Sequence, residues 1–312
     1  MKKIFILGAT SFLGTYVVET LIKRDYNVTA LVRKGQDSTQ KLKDKFGNLI
    51  SYIEGDINNI DFSKLNSLGR FDALYVFAWA GMSKDKLDDS LFQKKWRQSL
   101  FAFVEKMIYQ CSVEKVILAG SQAEYGIYSG CVDETFAAKP VSAYGKEKLS
   151  LYNQVSAVAK LHNRKCIELR IHSIYGVGDK ENKFIYYIIR NCIYRKHIIL
   201  QSDCQQRWNF LNVNDCAKAF IYALEKEVPD GIYNIGGNDQ YTLREYVEFI
   251  ETLLKCQGNI EYGQEMDKSA PDFFYDSSKF QMLTGWSPTI SYIDGVSEII
   301  ENIKDENRYE CK

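Results

Sequence analysis

The sequence predicts an α/β fold, in which a doubly wound parallel sheet is accompanied by a smaller C-terminal α+β lobe. Short apolar runs of strand length alternate along the chain with segments that have helical spacing. Such alternation is typical of a mostly parallel sheet with helices on both faces. From about Tyr175 the pattern loosens, and helix candidates are joined by polar loops. The looser part indicates a second, smaller unit.

The chain opens with a β-α-β unit. Ile4 to Leu7 is an apolar run that ends at a glycine, Leu13 to Lys23 has helical spacing, and Val28 to Val32 is again strand-like. Further strands are predicted at Ile50 to Ile53, Ala73 to Phe77, Lys115 to Leu118, Cys166 to Arg170 and Gly231 to Asn234. Further helices are predicted at Ser90 to Gln110, Tyr144 to His162, Lys183 to Tyr194, Val213 to Glu225, Leu243 to Leu254 and Ser277 to Leu283.

Composition excludes several classes of function. The 312 residues carry a formal net charge of zero and a pI near 6.8, so no overall basic field attracts nucleic acid or anionic lipid. No apolar run has the length needed to cross a bilayer, and the first one stops at Gly8, too soon for a signal peptide. The eight cysteines and three histidines show no metal-ligand spacing. We therefore expect a cytoplasmic protein with reduced thiols that needs no metal.

A glycine-punctuated turn, Gly8-Ala9-Thr10-Ser11-Phe12-Leu13-Gly14, joins the first strand to the first helix. Its glycines let the backbone approach a pyrophosphate that lies on the helix N-terminus. The strand before the turn and the helix after it are the context of a Rossmann-type dinucleotide site, although a tight turn without a ligand is the alternative. The cofactor-binding candidates in this turn are Gly8, Thr10, Ser11, Phe12, Leu13 and Gly14.

The second strand ends in Val32-Arg33-Lys34, where a carboxylate would bind the ribose 2′-hydroxyl of NAD. A carboxylate there would repel a 2′-phosphate, whereas Arg33 pairs with one and Lys34 adds positive charge. This favours NADP, as NADPH, over NAD. The alternative is that both side chains are solvated surface charges.

Tyr144 and Lys148 stand four residues apart in a predicted helix, which puts both side chains on one face. An ammonium group there favours the neighbouring phenolate and suits Tyr144 to give or take a proton. The spacing alone is weak evidence in a chain with 21 tyrosines. Together with the glycine turn and with Ser121, about twenty residues upstream, it indicates a nicotinamide-dependent enzyme.

These motifs resemble the extended short-chain dehydrogenase/reductase family, whose members include nucleotide-sugar epimerases, dehydratases and reductases. Ser11 stands where the family's Gly-x-x-Gly-x-x-Gly turn has its middle glycine, which is tolerated only if the backbone there needs no positive φ. The resemblance implies that Ser121, Tyr144 and Lys148 are catalytic. It also implies cofactor contacts by Tyr144, Lys148, Asp56, Ile57, Ala78, Trp79 and Ala80, and substrate contacts by Ser121 and Gln122.

The segment after Ser121 argues against a sugar dehydratase. The sugar dehydratases have an Asp-Glu pair directly after this position, and here those places hold Gln122 and Ala123. Without a paired acid and base, removal of water is not expected. Glu124 comes one residue too late for that role, and we expect a carboxylate that is on the surface or that supports the site from behind.

The segments Leu169 to Asp179 and Glu181 to Ile185 resemble those of CDP- and dTDP-4-keto-6-deoxyhexose reductases. The resemblance implies that Ser173, Asn182, Lys183 and Phe184 reach the sugar and its diphosphate, whereas a structured loop with Asn182 capping the next helix is the alternative. The segment that begins at Arg207 resembles a family strand that contains an arginine. In this chain Trp208 stands at the position of that arginine, and Arg207 precedes it. Either Arg207 binds the phosphate or Trp208 stacks on the ligand.

Taken with the family resemblance, the residues favour reduction of the 4-keto group of a nucleotide-diphosphate sugar, with Tyr144 as proton donor. The alternatives are a 4-epimerase with tightly bound NAD and a non-catalytic dinucleotide-binding sensor. Residues 1–172 are expected to form the dinucleotide-binding domain, with 207–234 returning to it, and residues 173–206 and 235–312 the substrate lobe. A homodimer through the helices at Ser90 to Gln110 and Tyr144 to His162 is expected by analogy.

Overall fold

The computed structural model describes residues 2–263 and 272–310 of the chain. Its main sheet consists of β1 (Lys3–Leu7), β2 (Asn27–Val32), β3 (Ser51–Glu54), β4 (Ala73–Val76), β5 (Lys115–Ser121), β7 (Lys165–Ile171) and β12 (Gly231–Ile235). These seven strands are parallel and lie in the order β12-β7-β5-β4-β1-β2-β3. The predicted doubly wound α/β class is confirmed.

Helices cover both faces of the sheet and build much of the C-terminal part. They are α1 (Phe12–Ile22), α2 (Asp37–Phe46), α3 (Phe62–Ser67), α4 (Lys84–Leu87), α5 (Ser90–Gln110), α6 (Ala143–Leu161), α7 (Phe184–Ile193), α8 (Val213–Glu225), α9 (Leu243–Leu254), α10 (Ser278–Thr284) and α11 (Tyr292–Glu310).

Alternating side chains of the central strand β1 serve two separate cores. Ile4 and Ile6 point into the core shared with α1 and α8, whereas Phe5 and Leu7 point into the core shared with α5 and α6. This follows from the period of two in a strand, which sends successive side chains to opposite faces. The apolar run is continuous because both faces of a doubly wound sheet are covered.

Smaller sheets lie beside the main one. A four-stranded sheet has the order β13-β10-β15-β6, formed by β6 (Gly130–Val132), β10 (Arg207–Trp208), β13 (Tyr241–Thr242) and β15 (Phe273–Tyr275). Two-stranded sheets pair β8 (Ile174–Tyr175) with β11 (Leu211–Asn212) and β9 (Ile198–Leu200) with β14 (Ile260–Tyr262). A third core packs α7, α9 and α11 together. The proposed domain boundaries stay a prediction.

The sequence interpretation needs one correction and several additions, among them helices α2, α3 and α4, which were not predicted. Helix α7 begins at Phe184 with Lys183 in the N-cap position, and Lys183 makes no side-chain capping bond, so Asn182 does not cap this helix. Helix α11, of 19 residues, was not predicted.

The described cysteines are free thiols, six of them buried, and Cys311 lies outside the described residues. Across residues 2–263 and 272–310, no helix combines the length and apolar content of a membrane span. The same residues contain no group of three or more His, Cys, Asp or Glu side chains suited to a metal ion.

Candidate active site

A cavity of about 330 Å³ opens at the carboxyl ends of β1, β2 and β4. Ligands bind at this edge in open α/β sheets, because the loops that leave neighbouring parallel strands meet there. The predicted residues that line it are Gly8, Thr10, Ser11, Arg33, Asp56, Ile57, Ala78, Trp79 and Ala80. It is also lined by Gly55 and Phe77, which begin the segments expected to contact the cofactor, and by Leu7, Leu31, Val32, Ser38, Thr39 and Trp96, which the sequence interpretation did not assign.

Gly8 brings the turn after β1 against the end of β4. Its φ is +93°, and a Cβ atom at this position would lie 2.4 Å from the Ala78 amide nitrogen. The amides of Phe77 and Ala78 both donate to the Leu7 carbonyl, at 2.8 and 3.1 Å. The two loops that form the floor of the cavity are therefore in backbone contact, which only glycine permits.

Ser11 is the N-cap of α1. Its φ is −75°, so the serine occupies ordinary extended backbone, and its Oγ accepts a hydrogen bond from the Gly14 amide at 3.0 Å. The backbone at this position therefore needs no positive φ, as a serine in the turn requires, and the serine also caps the helix. Phe12, Leu13 and Gly14 form the first turn of α1, and in the described part of the chain they are not among the residues that line the cavity.

The far end of the cavity, after β2 and β3, carries polar side chains. Arg33 is exposed, and its carbonyl accepts a hydrogen bond from the Thr39 hydroxyl at 2.8 Å. Asp56 Oδ1 accepts from the backbone and side-chain nitrogens of Asn58, each at 2.9 Å, which fixes the carboxylate. Lys34 is exposed beside this end without lining it.

Trp79 links the cavity to the Tyr144 and Lys148 pair. Its ring meets the Tyr144 ring edge to face at 5.6 Å between centroids, and the Lys148 Nζ lies 4.8 Å from the Trp79 centroid. Gln93, a fully buried residue of α5 that was not predicted, accepts the indole N–H at 2.8 Å and donates to the Gly81 carbonyl at 2.9 Å. An isolated glutamine in a helix gives no sequence signal of such a role.

Helix α6 carries Tyr144 and Lys148 one turn apart, and both are nearly buried. Lys148 also donates a hydrogen bond from Nζ to the carbonyl of Ala119 in β5, and the same Nζ lies 5.9 Å from the Tyr144 ring centroid. The ammonium is thereby held between the end of β5 and the two aromatic rings, where cation–π attraction adds to the hydrogen bond.

Ser121 ends β5 and begins the short turn at 122–124, against which α6 packs. A Cβ atom at Gly145 would lie 2.2 Å from the Ala123 carbonyl oxygen, so this glycine lets the first turn of α6 approach the Ser121 turn. The fold thus brings together the segments that carry Ser121, Tyr144 and Lys148. Gln122 lies in the same turn, and its Oε1 is buried without a hydrogen-bond partner among the described residues.

Glu124 is not a surface residue, because its side chain is completely buried beside Glu168 and Arg170. Burial raises the pKa of Glu124, against the opposing effect of Arg170 and Lys148. Burial and the nearby Glu124 charge raise the pKa of Glu168 well above its ordinary value. The pair therefore tends to keep one proton, and one negative charge faces Arg170.

The substrate-side candidates form a second group in the C-terminal part. The Trp208 indole donates to Ser173 Oγ at 2.8 Å and packs against the buried His172 ring at 4.9 Å between centroids. Burial lowers the pKa of His172 to about 3, so that ring is neutral at physiological pH. Phe184 stacks on Phe210 at 6.3 Å.

The remaining substrate-side candidates, Asn182, Lys183 and Arg207, do not line the cavity after β1, β2 and β4. Asn182 and Arg207 are exposed, and Lys183 is the N-cap of α7. Arg207 is fixed through its backbone amide, which donates to Asp272 Oδ1 at 2.6 Å. Its side chain thus stands at the surface, whereas that of Trp208 is held in the aromatic cluster.

Known proteins resemble this chain over nearly its whole length. The dTDP-4-dehydro-6-deoxyglucose reductase of Escherichia coli is 24% identical over 96% of this chain and 97% of its own. A putative UDP-glucose 4-epimerase of Methanocaldococcus jannaschii is 22% identical over 98% and 99%. Among solved structures, a UDP-glucuronic acid 4-epimerase of Bacillus cereus in complex with NAD superposes with a TM-score of 0.83, at 23% identity over 97% and 99% of the two chains.

The family comparison is more decisive than any single relative. The model of the NAD dependent epimerase/dehydratase family matches residues 4–236, which include the glycine turn, the cavity and the Ser121, Tyr144 and Lys148 segments. The match agrees with the resemblance seen in the motifs and with the observed fold. The chain therefore belongs to the NAD dependent epimerase/dehydratase family.

Proposed function

We propose that the protein reduces the 4-keto group of a nucleotide-diphosphate 4-keto-6-deoxyhexose with NADPH. The observation that carries this proposal is the placement of Tyr144 and Lys148 against Trp79 at the cavity, beside the turn that holds Ser121. Those residue types supply a proton, an orienting charge and a hydrogen bond to one substrate oxygen. They suit a carbonyl that gains both a hydride and a proton.

The residues around the cavity fit a dinucleotide. Gly8 and the N-terminus of α1 would hold the pyrophosphate of a dinucleotide, which the positive end of the helix dipole would favour. In this proposal Asp56, whose carboxylate is held by Asn58, accepts from an adenine amino group, and Arg33, which lines the cavity, pairs with a 2′-phosphate. When bound, the reduced nicotinamide supplies the hydride.

The chain's own residues complete the reaction. Tyr144 donates its phenolic proton to the oxygen of the carbonyl while the carbonyl carbon gains the hydride, and the product is an alcohol. Ser121 hydrogen-bonds the same oxygen, and Lys148, held by the Ala119 carbonyl, stabilises the phenolate that remains. The residues proposed to hold the sugar and its diphosphate are Gln122, Ser173, Asn182, Lys183, Phe184, Arg207 and Trp208.

A 4-epimerase is the second candidate function, because relatives named as epimerases align over almost the whole chain. Such an enzyme oxidises the sugar and returns the hydride to its other face, so the same three residues serve it. Arg33 favours the reductase, since NADPH that exchanges at each turnover gains from a 2′-phosphate contact. Dehydration is disfavoured because Gln122 and Ala123 offer no acid and base pair.

Substitution of Tyr144 by Phe tests the assigned proton donor. We expect kcat to fall by about 10²–10⁴-fold, the range for loss of a general acid, while the Kd for NADPH stays within about twofold. The matched control is Tyr152→Phe, which removes a phenol two turns further along α6 and leaves kcat unchanged. Equal turnover of wild-type and Tyr144→Phe protein would remove Tyr144 from the mechanism.

The reaction itself is tested by NADPH and NADH consumption with CDP-, dTDP-, GDP- and UDP-linked 4-keto sugars. The proposal predicts stoichiometric oxidation of NADPH with at least one of them. Interconversion of two nucleotide sugars without net consumption of cofactor supports the epimerase instead. Cofactor binding without turnover of any sugar supports a non-catalytic sensor.

A homodimer through α5 and α6 belongs to the same proposal. These helices pack on each other, with Arg97 donating to Glu147 at 2.8 Å and to Gln154 at 2.7 Å. Leu91 and Leu161 remain exposed on them by 65% and 78%. Burial of such apolar surface against a second copy stabilises a dimer, and sedimentation equilibrium measures it.

A further inference from the structure

Three charged side chains are buried together behind the Ser121 turn. Glu124, Glu168 and Arg170 are each at most 2% exposed. The Arg170 Nε lies 3.1 Å from Glu168 Oε2 and 3.3 Å from Glu124 Oε2. Burial of charged groups is costly, and apolar residues of similar volume are often no less stabilising. The cluster therefore calls for a reason other than stability.

Glu124 contacts the backbone of Ser121 with the oxygen that does not face Arg170. Its Oε1 accepts the Ser121 amide proton at 2.7 Å, and the Ser121 Oγ accepts the Ala123 amide proton at 3.2 Å. These two bonds tie Ser121 to the turn at 122–124 in a capping box. Movement of the Glu124 carboxylate would shift both the backbone and the hydroxyl of Ser121.

The strand that leads into Ser121 is shaped around the cluster. A Cβ atom at Gly120 would lie 2.8 Å from Glu168 Cγ and 2.9 Å from Arg170 Cγ. No left-handed φ requires glycine at this position, so space for the two buried side chains is what excludes a larger residue there. On the same strand, the Ala119 carbonyl accepts from Lys148 Nζ. Residues 119–121 are therefore fixed by α6 as well as by the cluster.

We propose that Glu124 is a positioning residue that sets where the Ser121 hydroxyl meets the substrate oxygen. The inference rests on the proposed function. Glu124 has no exposed surface, and its direct hydrogen bond toward the site goes to the Ser121 amide, so we infer that it acts through Ser121. Arg170, in β7, forms an ion pair with the Glu124 carboxylate and so holds this side chain in place. Arg170 is itself held by its hydrogen bond to the carboxyl group of Glu168.

A double-mutant cycle with Ser121 tests this coupling. We expect Glu124→Ala to lower kcat by about 10–100-fold with little change in KM, because a misplacement of about 1 Å costs a factor of this order. Glu124→Gln keeps an oxygen that accepts the Ser121 amide proton, and it should retain kcat within about threefold. In a Ser121→Ala background, Glu124→Ala should change kcat by less than about twofold. Additive effects of the two substitutions would overturn the proposal.

The matched control removes an equivalent bond elsewhere. Glu134 Oε1 accepts the Asn234 amide proton at 2.7 Å, the same distance as in the Glu124 bond, and Glu134 has no bond to Ser121. We expect Glu134→Ala to lower the melting temperature and leave kcat unchanged. If Glu134→Ala lowers kcat as much as Glu124→Ala, the effect is general loosening of the fold and the positioning role is wrong.

Hydrogen exchange at the Ser121 amide tests the same bond without any substrate. In protein labelled with ¹⁵N-serine, the Ser121 amide should exchange slowly in the wild type and in Glu124→Gln, and at least tenfold faster in Glu124→Ala. Melting curves of the variants confirm that they remain folded. A wild-type protein that turns over no 4-keto sugar refutes the proposed function alone. Equal Ser121 exchange in wild type and Glu124→Ala refutes the role of Glu124 alone.

Discussion

Substitution of Gly8 by Ala tests whether the cavity depends on backbone contact between the loops after β1 and β4. The new methyl group would lie 2.4 Å from the Ala78 nitrogen and 2.8 Å from the Phe77 carbonyl carbon. Neither atom moves alone, because both residues are tied by their amides to the Leu7 carbonyl. The turn after β1 must therefore separate from the end of β4.

The expected cost has two parts. A non-glycine residue at φ +93° loses about 1–2 kcal/mol from steric strain. Forcing a methyl group into filled space adds roughly 1–3 kcal/mol. Gly8→Ala should thus lower the free energy of unfolding by about 2–5 kcal/mol. It should also weaken NADPH binding by at least about tenfold, because the displaced turn no longer presents the start of α1 to the pyrophosphate.

Gly130→Ala is the matched control. Gly130 has φ +92°, almost the same as Gly8, and apart from its chain neighbours no atom of the described residues lies within 4 Å of the position of its added Cβ. This variant should show only the strain of about 1–2 kcal/mol and an unchanged Kd for NADPH. Urea unfolding and NADPH fluorescence titration measure both quantities. Equal values for the two variants, in stability and in Kd, would show that the cavity does not depend on the backbone contact at Gly8.

Two further predictions concern charge. Arg33→Ala should raise the Kd for NADPH by about 10–100-fold, the worth of a hydrogen bond to a charged group, and change the Kd for NADH by less than about threefold; equal losses for both cofactors would contradict a 2′-phosphate contact. Glu168→Gln tests the raised pKa of that carboxyl group. The folded wild type keeps the Glu168 proton to a higher pH than the unfolded chain does. Its free energy of unfolding therefore falls as pH rises above the ordinary carboxyl value of 4.5, by at most roughly 1.4 kcal/mol per pH unit. Glu168→Gln lacks this loss, so its free energy of unfolding relative to that of the wild type should increase with pH in urea titrations. Parallel pH profiles of the two proteins would contradict the raised pKa of Glu168.

Local signals predicted the first part of the chain well. An apolar strand, the turn that starts at Gly8 and an amphipathic helix that contains Gly14 indicate a β-α-β unit. The structure has β1, α1 and β2 there. The bounds of α5 and α8 agree with their periodicity because long helices repeat their apolar pattern several times. These features depend on residues that are near each other in sequence.

The C-terminal part could not be predicted in the same way. Strands β10 and β13 have two residues each, too few for an alternation of apolar and polar side chains, and their partners are distant in sequence. The choice between Arg207 and Trp208 likewise depends on Ser173, which accepts from the indole across 35 positions. Gln93 gave no signal because its role consists of contacts to Trp79 and to the carbonyls of Gly81 and of Lys86 in α4.

Transfer of deuterium from the cofactor to the sugar is the sharpest test of the proposed reduction. NADPH that carries deuterium at nicotinamide C4, on the transferred face, is incubated with the protein and a nucleotide-linked 4-keto-6-deoxyhexose. We expect a product sugar heavier by one mass unit at C4, formed in equal amount to NADP⁺, and formation of this product slowed by about 10²–10⁴-fold with Tyr144→Phe. Two interconverting sugars without deuterium, and no loss of NADPH, would contradict it.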